Sequence, residues 1–416
     1  MRSLRQGTAI YLCAASLNAL MPFALLGYLA RVLGTPDLGK IGVFLLLVNL
    51  AGVVVGLNTH GLVSVAYFRD GAGRGAAVAM NACFIVMAIS VTTLLVAFAL
   101  GGSALAARLQ IPPLALLACV LCAAAQFVLQ VLLAYLQSTG QPIQYGTLTV
   151  VASAGTVLFT LATLATEPSW LARVWGQLIA GFLTATCALW VVARTLALQT
   201  SFDRRAISRA IKFGLPLVPH SLAVTVMSGY DRLYVAQQIS ASAAGEYFAA
   251  AQVAAILTLG AAAINQAFAP WMYRKLATGI RADQVEVVKV SRRLVCLALA
   301  LAAAMALSAR PLISLVFGAG YEGSAVLLVY LAPSVAIGSI YFIVSNFLFY
   351  TERTGALPVA TFAATLVQVL LIHTLGVRHG TTGVALAVLA SQCVFVAGVW
   401  WLAQKSLPMP WWSFRE

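Results

Sequence analysis

Charge is what this sequence has least of. Asp and Glu together number 11 and Lys and Arg 25 among 416 residues, so only 9% of the chain is charged. A soluble domain carries about 25% charged and about 45–50% apolar residues, whereas 62% of this chain is hydrophobic. No soluble core of this length needs so much apolar surface, and lipid is the expected solvent. Strict apolar–polar alternation is also missing, which argues against an outer-membrane barrel. Long polar connections are few: 195–212 and 272–289 are the longest, both basic, and neither is large enough to form an extramembrane domain.

The side chains that usually carry chemistry are equally sparse. His60, His220, His373 and His379 never occur at metal-ligand spacing. The seven Cys are scattered, so no disulfide framework is expected. Cys119 and Cys122 form a CxxC inside LLACVLCAAA with no His or acid beside them, and read as small packing residues rather than a redox pair. There is no phosphate-binding Walker motif, no HExxH and no GxSxG. GAGYEG at 318–323 fits GxGxxG but follows a helical run in an outer loop, so it reads as a turn. The outer loops hold only Asp37, Glu167, Glu246 and Glu322, widely separated. Enzymatic chemistry, a cofactor and a metal are therefore not expected.

Apolar runs, by contrast, recur from end to end, each near the ~20 residues of a spanning helix. Twelve lie at roughly 8–30, 41–63, 76–100, 113–136, 143–166, 171–194, 213–238, 245–271, 290–309, 325–350, 356–376 and 382–403. Arg2 and Arg5 precede the first run as they would a secretory signal. The run is over ~20 residues and ends in YLARVLG without a small-x-small cleavage site, so a retained helix is expected. Net charge is +14, a value often met in nucleic-acid binders, but its distribution points elsewhere. With the N-terminus placed in the cytoplasm, 18 Lys and Arg fall inside and 6 outside (Arg31, Lys40, Arg108, Arg173, Arg310 and Arg378), with Arg232 within a helix. That bias is a topology signal. It predicts both termini in the cytoplasm and no nucleic-acid partner.

The halves look related. Leu33 and Gly39 match Ile239 and Gly245 at an offset of 206, and Tyr135, Thr139 and Gly140 match Tyr350, Thr354 and Gly355 at 215. Each half has an even number of runs, so the repeat is parallel, about an axis along the membrane normal. The expected division is 1–205 and 206–416.

Several runs carry polar stripes at helical spacing. They are Thr149, Ser153, Thr156, Thr160, Thr163 and Glu167 in the fifth; Gln126, Gln130 and Gln137 in the fourth; Ser221, Thr225, Ser228 and Arg232 in the seventh; Ser334, Gly338, Tyr341 and Ser345 in the tenth; and Thr361, Thr365 and Gln368 in the eleventh. A single Ser or Thr is explained by bonding its own helix; the stripes together point to a watery cavity. Gly52 and Gly56, a GxxxG, read as a packing pair. Pro22, Pro216, Pro219, Pro270 and Pro333 mark kinks or helix ends.

One charged pair, Asp231–Arg232 in MSGYDRLYVAQQ, sits within the seventh run. A charge in hydrocarbon costs at least ~2.5–3.5 kcal/mol, so it must face protein or water. Asp231 is roughly 27 Å along a helix that starts at Phe213. Two readings stay open: Arg232 snorkels outward beside a solvated carboxylate, or the pair lines a cavity, with Asp231 holding a basic partner from another helix or titrating during transport. Adjacent positions diverge on a helix, so the two are expected to serve different neighbours.

LARVLGTPDLGKIGVF at 29–44, AYLQSTGQPIQYG at 134–146 and KFGLPLVPHSLAVTVMSGYDRLYVAQQISASAAGEYFAAAQVA at 212–254 resemble the polysaccharide flippases of the multidrug/oligosaccharidyl-lipid/polysaccharide exporter superfamily. PLISLVFGAGYEGSAVLLVYLAP at 311–333 and NFLFYTERTGALP at 346–358 extend the resemblance over most of the chain. In that family a Pro-containing start to the seventh helix, an Asp-Arg pair and a G-x-Y opening of the eighth form a similar run, here Pro216, Pro219, Asp231, Arg232, Gly245 and Tyr247. The resemblance implies an all-α polytopic membrane protein of twelve transmembrane helices, in two pseudo-symmetric six-helix bundles around a central cavity. It implies an undecaprenyl-pyrophosphate-linked oligosaccharide as substrate, in the bacterial inner membrane, for O-antigen or exopolysaccharide synthesis beside a polymerase and export machinery. The expected substrate-cavity residues are Arg31, Gln126, Gln130, Ser228, Asp231, Arg232 and Gln368, with Asp231 as a possible ion-coupling group. Arg69, Arg310 and Arg353 are further cations suited to a diphosphate, although their places near helix ends favour snorkelling. A cation-coupled drug exporter of the same superfamily is the alternative. It would want a buried carboxylate cluster in one lobe, and the first lobe has no mid-helix acid.

Overall fold

In lipid a backbone has no water to satisfy its N–H and C=O groups, so an apolar chain of this kind is confined to helix. The computed structural model describes residues 2–70, 73–195, 203–351 and 353–411, and contains no strand among them. Residues 196–202 of the expected polar connection, and Arg415, lie outside the described residues. Ten helices are long and apolar enough to cross a membrane, and a bent pair adds an eleventh. Large apolar side chains such as Leu100, Leu307 and Val377 are at least 80% exposed, which only a lipid surround makes favourable.

The chain forms two compact units, Met1–Thr225 and Val226–Glu416. The first holds α1 (Arg2–Leu33), α2 (Thr35–Val54), α3 (Gly61–Arg69), α4 (Arg74–Leu109), α5 (Pro113–Ser138), α6 (Pro142–Thr166), α7 (Leu171–Thr195) and α8 (Arg204–Gly214). Proline opens α2, α5 and α6 within their first two positions, where its missing N–H would be unpaired anyway. The core of this unit gathers Met80 and Cys83 of α4 and Phe127, Val131 and Leu132 of α5.

The run at 41–63 is not one helix. A short 3-10 turn at Val55–Asn58 separates α2 from α3, with positive φ at Gly56, Leu57 and Asn58. Neighbours satisfy the freed polar groups: the Gly56 N–H donates to Ser90 Oγ (2.9 Å), the Thr59 hydroxyl to the Gly56 carbonyl (2.6 Å), and Asn58 Nδ2 to Ser221 Oγ (3.1 Å). A Cβ on Gly56 would sit 2.1 Å from the Phe127 ring, whereas Gly52 faces open space. The GxxxG is therefore not a packing pair: Gly56 permits the break, and a Cβ on Gly52 would meet no neighbour within 4 Å.

The run beginning at 213 is broken too. α8 and α9 (Leu217–Gln238) meet at 41°. Asp203 caps α8, accepting from the Arg205 and Ala206 N–H groups. Ile207 and Ala210 then bury against Leu62, Ala66, Ala79 and Val86, and Arg209 pairs with Asp70. Part of what reads as a polar connection is thus an amphipathic helix docked on the first unit. Measured from Leu217 instead of Phe213, Asp231 lies only about 21 Å along its helix.

The second unit begins inside α9 and continues with α10 (Ala241–Ala277), α11 (Arg281–Leu307), α12 (Ala309–Phe317), α13 (Glu322–Tyr350) and α14 (Leu357–Ser406). Its core packs Phe268 and Met272 of α10, Val288 of α11, Phe347 of α13 and Val399 of α14. Lys275 fastens the α10–α11 corner to Asp283 (2.8 Å) and Glu286 (2.7 Å).

α14 is a hairpin rather than a 50-residue rod. Gly380 has φ 58 and ψ −141, outside helical space. A Cβ on Gly383 would lie 2.1 Å from the Leu375 carbonyl, and one on Gly398 would lie 3.8 Å from Ala360. Ser391 donates to Gln368 Oε1 at 3.0 Å. Each pair is centred near residue 380, so the two arms run antiparallel. They correspond to the runs at 356–376 and 382–403.

Candidate functional site

The expected site residues fall into two groups, one in each unit. In the second unit α9 presents Asp231 and Arg232 toward neighbouring residues of α10. Asp231 is 5% exposed; its Oδ1 accepts the Arg232 backbone N–H (2.8 Å) and its carboxylate faces the hydroxyl of Tyr247, which is fully buried. The Arg232 guanidinium lies 5.2 Å from the centre of the Phe248 ring, a cation–π contact. Asp231 thus stands beside Arg232 of its own helix and a tyrosine, not a basic group from another helix.

One turn earlier on α9, the Met227 carbonyl accepts from Gln368 Nε2 (2.9 Å). Gln368 is fully buried, and its amide spans α9 and both arms of the hairpin. His373, on the same arm, shares a 3.4 Å hydrogen bond with the Tyr230 hydroxyl through Nε2, and its Nδ1 lies 2.9 Å from the Val369 carbonyl. Tyr234 packs edge-on against the same imidazole. Ser228 is exposed.

The polar stripes are largely occupied by their own helices. Thr149, Thr156, Thr163, Thr225, Ser334, Thr361 and Thr365 each donate to the carbonyl four residues back. Ser334 and Ser345 are buried, as are Thr361 and Thr365, so the tenth- and eleventh-run stripes lie within packed seams of the second unit. Thr160 is a seam as well: a Cβ on Gly176 of α7 would lie 2.4 Å from its Cα.

In the first unit Gln126 is half-buried, while Gln130 and Arg31 are exposed. Gln126 opens onto a cavity of about 250 Å³ lined by residues of α1, α2, α5, α6 and α7. Ser153 also lines it and donates to Asn18 Oδ1, joining α6 to α1. The residue missed from sequence is Arg173. Counted among the outer charges, it is instead 5% exposed and faces this cavity. Its Nε and Nη1, and Gln177 Oε1, are buried without a hydrogen-bond partner. The start of α7 is pinned by Asp37, which accepts the Trp170 N–H (3.2 Å) and pairs with Lys40 (3.2 Å). Arg173, Gln177, Gly181 and Thr184 all line the cavity at steps of four, four and three, one face of a helix. That spacing was the signal available beforehand. Among the described residues no cluster of His, Cys, Asp or Glu is arranged to hold a metal.

Residues 4–275 match the family described as polysaccharide biosynthesis protein. A protein of the Lsg locus of Haemophilus influenzae is 24% identical over 277 residues, a match covering 65% of this chain and 66%, just under two thirds, of that protein. Among solved structures, the lipid II flippase MurJ in an inward closed conformation superposes with a TM-score of 0.79 at 12% identity, covering 95% of this chain and 87% of MurJ. An inward-facing multidrug resistance MATE family transporter of the MOP superfamily gives 0.75 at 13% identity, covering 94% and 95%. A Vibrio cholerae MATE transporter gives 0.65 at 16%, covering 98% and 96%. The chain belongs to the polysaccharide biosynthesis protein family and is a multi-pass membrane protein with the fold of these transporters, in agreement with the resemblance read from its motifs.

Proposed function

We propose, from membership of that family, that this chain is a flippase. It moves an undecaprenyl-pyrophosphate-linked oligosaccharide repeat unit across the bacterial inner membrane by alternating access, for O-antigen or exopolysaccharide synthesis, with both termini in the cytoplasm. The working parts are two lobes, 1–205 and 206–416, of six spans each when the two arms of α14 are counted separately. The physical task is to give the glycan and its diphosphate a polar route while the lipid tail stays in hydrocarbon. Arg31, Gln126, Gln130, Ser228, Asp231 and Arg232 are the candidates for meeting the headgroup. Gln368 is a candidate through its hold on α9, and Asp231 is the group placed to couple transport to an ion. A polysaccharide polymerase and export machinery are the expected partners.

The observation that carries this reading is the family match over 4–275 on a chain that shares its fold with a lipid II flippase. The fold of the multidrug transporters keeps a cation-coupled exporter as the second reading. Against it stands the first unit, where Arg173 is the buried charge and no buried carboxylate accompanies it among the described residues. The deciding experiment is transport of defined lipid-linked glycans in vesicles. Glycan appearing in the opposite leaflet, and its loss in Arg232→Ala protein that still inserts, supports the flippase. Export of organic cations without glycan movement overturns it.

A further inference from the structure

We infer that the cavity inside the first unit is a binding site for a small monovalent anion, of the chloride class, held by Arg173. A charged side chain is almost never buried alone, because desolvation costs several kcal/mol unless a counter-charge or coordinating groups compensate. Arg173 is buried, and two of its guanidinium nitrogens have no partner. The residue lines a cavity of about 250 Å³, which leaves room for an anion and several waters at about 30 Å³ each.

Charge counting selects the ligand. Arg173 and Asp231 are the buried charged side chains among the described residues, and Asp231 belongs to the other unit. Asp37, at the start of α2, is engaged with Lys40 and the Trp170 N–H. The other polar groups on the cavity wall, Gln126, Gln177, Ser153, Thr156 and Thr184, are neutral. One positive charge is balanced by one negative charge; a diphosphate or a divalent oxyanion would leave an excess buried. Water alone satisfies hydrogen bonds but not the charge. The amides of Gln126 and Gln177 turn to offer N–H to an anion, since amide orientation follows the local network. Pro22 and Ser153 bring α1 and α6 to the same cavity, so an occupant ties together the helices of this unit. Among the described residues lining the cavity the internal competitor is Cys122, which would compensate Arg173 as a thiolate.

The test does not depend on the flippase reading. Purified full-length protein in detergent is melted in sodium chloride, sodium nitrate and sodium gluconate at equal ionic strength, and equilibrium binding of radiolabelled chloride is measured alongside. Wild type should show a saturable rise in Tm with chloride and nitrate but not gluconate, with chloride retained. Arg173→Met should lose both the rise and the retained label, while Arg173→Lys keeps a weakened form of each. If Arg173→Met does not fold, the Lys variant and wild-type competition by nitrate still decide. Equal Tm in chloride and gluconate with no retained label overturns the site, as does binding unchanged in either variant. Inorganic phosphate displacing chloride at lower concentration than nitrate does overturns the monovalent class. A chloride response that emerges only in Cys122→Ser protein assigns the counter-charge to the thiolate and overturns the anion in the native chain.

Discussion

The two units solve the problem of a buried charge in opposite ways. In the second, Asp231 lies against Arg232 and Tyr247, and Arg232 in turn covers the Phe248 ring. In the first, Arg173 lines a cavity with neutral polar groups and, among the described residues, no carboxylate. A buried carboxylate held among its neighbours belongs to the packing of its unit, and removing it should damage the fold. An uncompensated charge beside a cavity belongs to whatever fills that cavity, and removing it should spare the fold. Both units break a helix at a glycine of positive φ, again differently: Gly56 is crowded by Phe127, while Gly380 has open space around it.

The contrast breaks most sharply at Asp231. Asp231→Ala removes the buried carboxylate that accepts the Arg232 N–H and faces the Tyr247 hydroxyl, and should cost about 1–3 kcal/mol, the range for leaving a buried polar group unsatisfied, read as a collapse of the monodisperse peak in detergent. Arg173→Met, melted in gluconate, should match or exceed wild type; a loss as large as that of Asp231→Ala would erase the distinction. Next is Gly56→Ala, where left-handed strain of roughly 1–2 kcal/mol adds to overpacking of about 1–3 kcal/mol against Phe127. Gly380→Ala should pay for strain alone, so an equal fall in Tm for the two would show that crowding is relieved by ring movement. Gln368→Leu should cost about 1–3 kcal/mol by removing the two hydrogen bonds that tie α9 to both arms of the hairpin, measurable as earlier thermal unfolding. The smallest effect is expected at Thr149→Ala, within about 0.5 kcal/mol, because that hydroxyl only bonds its own helix. A larger loss of transport than of stability there would return the stripe to the substrate route.

The helical, membrane-spanning character was legible because hydropathy and helical period act locally, and eight of the twelve apolar runs lie each in a single long helix, α1, α4 to α7, α10, α11 and α13. The α8–α9 break was legible as a kink or helix end marked by Pro216, but the break at Gly56 and the docking of α8 were not. Each depends on a partner distant in sequence: Phe127 fills the space beside Gly56, and the surface of α3 and α4 receives α8. Asp231 and Arg232 stood out because charge is so rare here, yet their true neighbours, Tyr247 and Phe248, came only with the placement of α10. Arg173 was hidden by its position in the first turn of α7, where a tally of charges by side assigns an arginine to the outer surface. Its burial follows from the pinning of that helix start by Asp37, a contact across 133 residues of chain.

The α14 hairpin has a consequence for how the protein is made. Two spans joined through Gly380, with Arg378 and His379 exposed at the bend, leave no linker to be threaded between separate insertion events. Such a pair is suited to enter the bilayer together as a loop. Gln368 and Ser391, each awkward for a lone helix in hydrocarbon, already quench one another within that loop, so the last two spans carry their own solvation into the membrane before α9 is there to meet them.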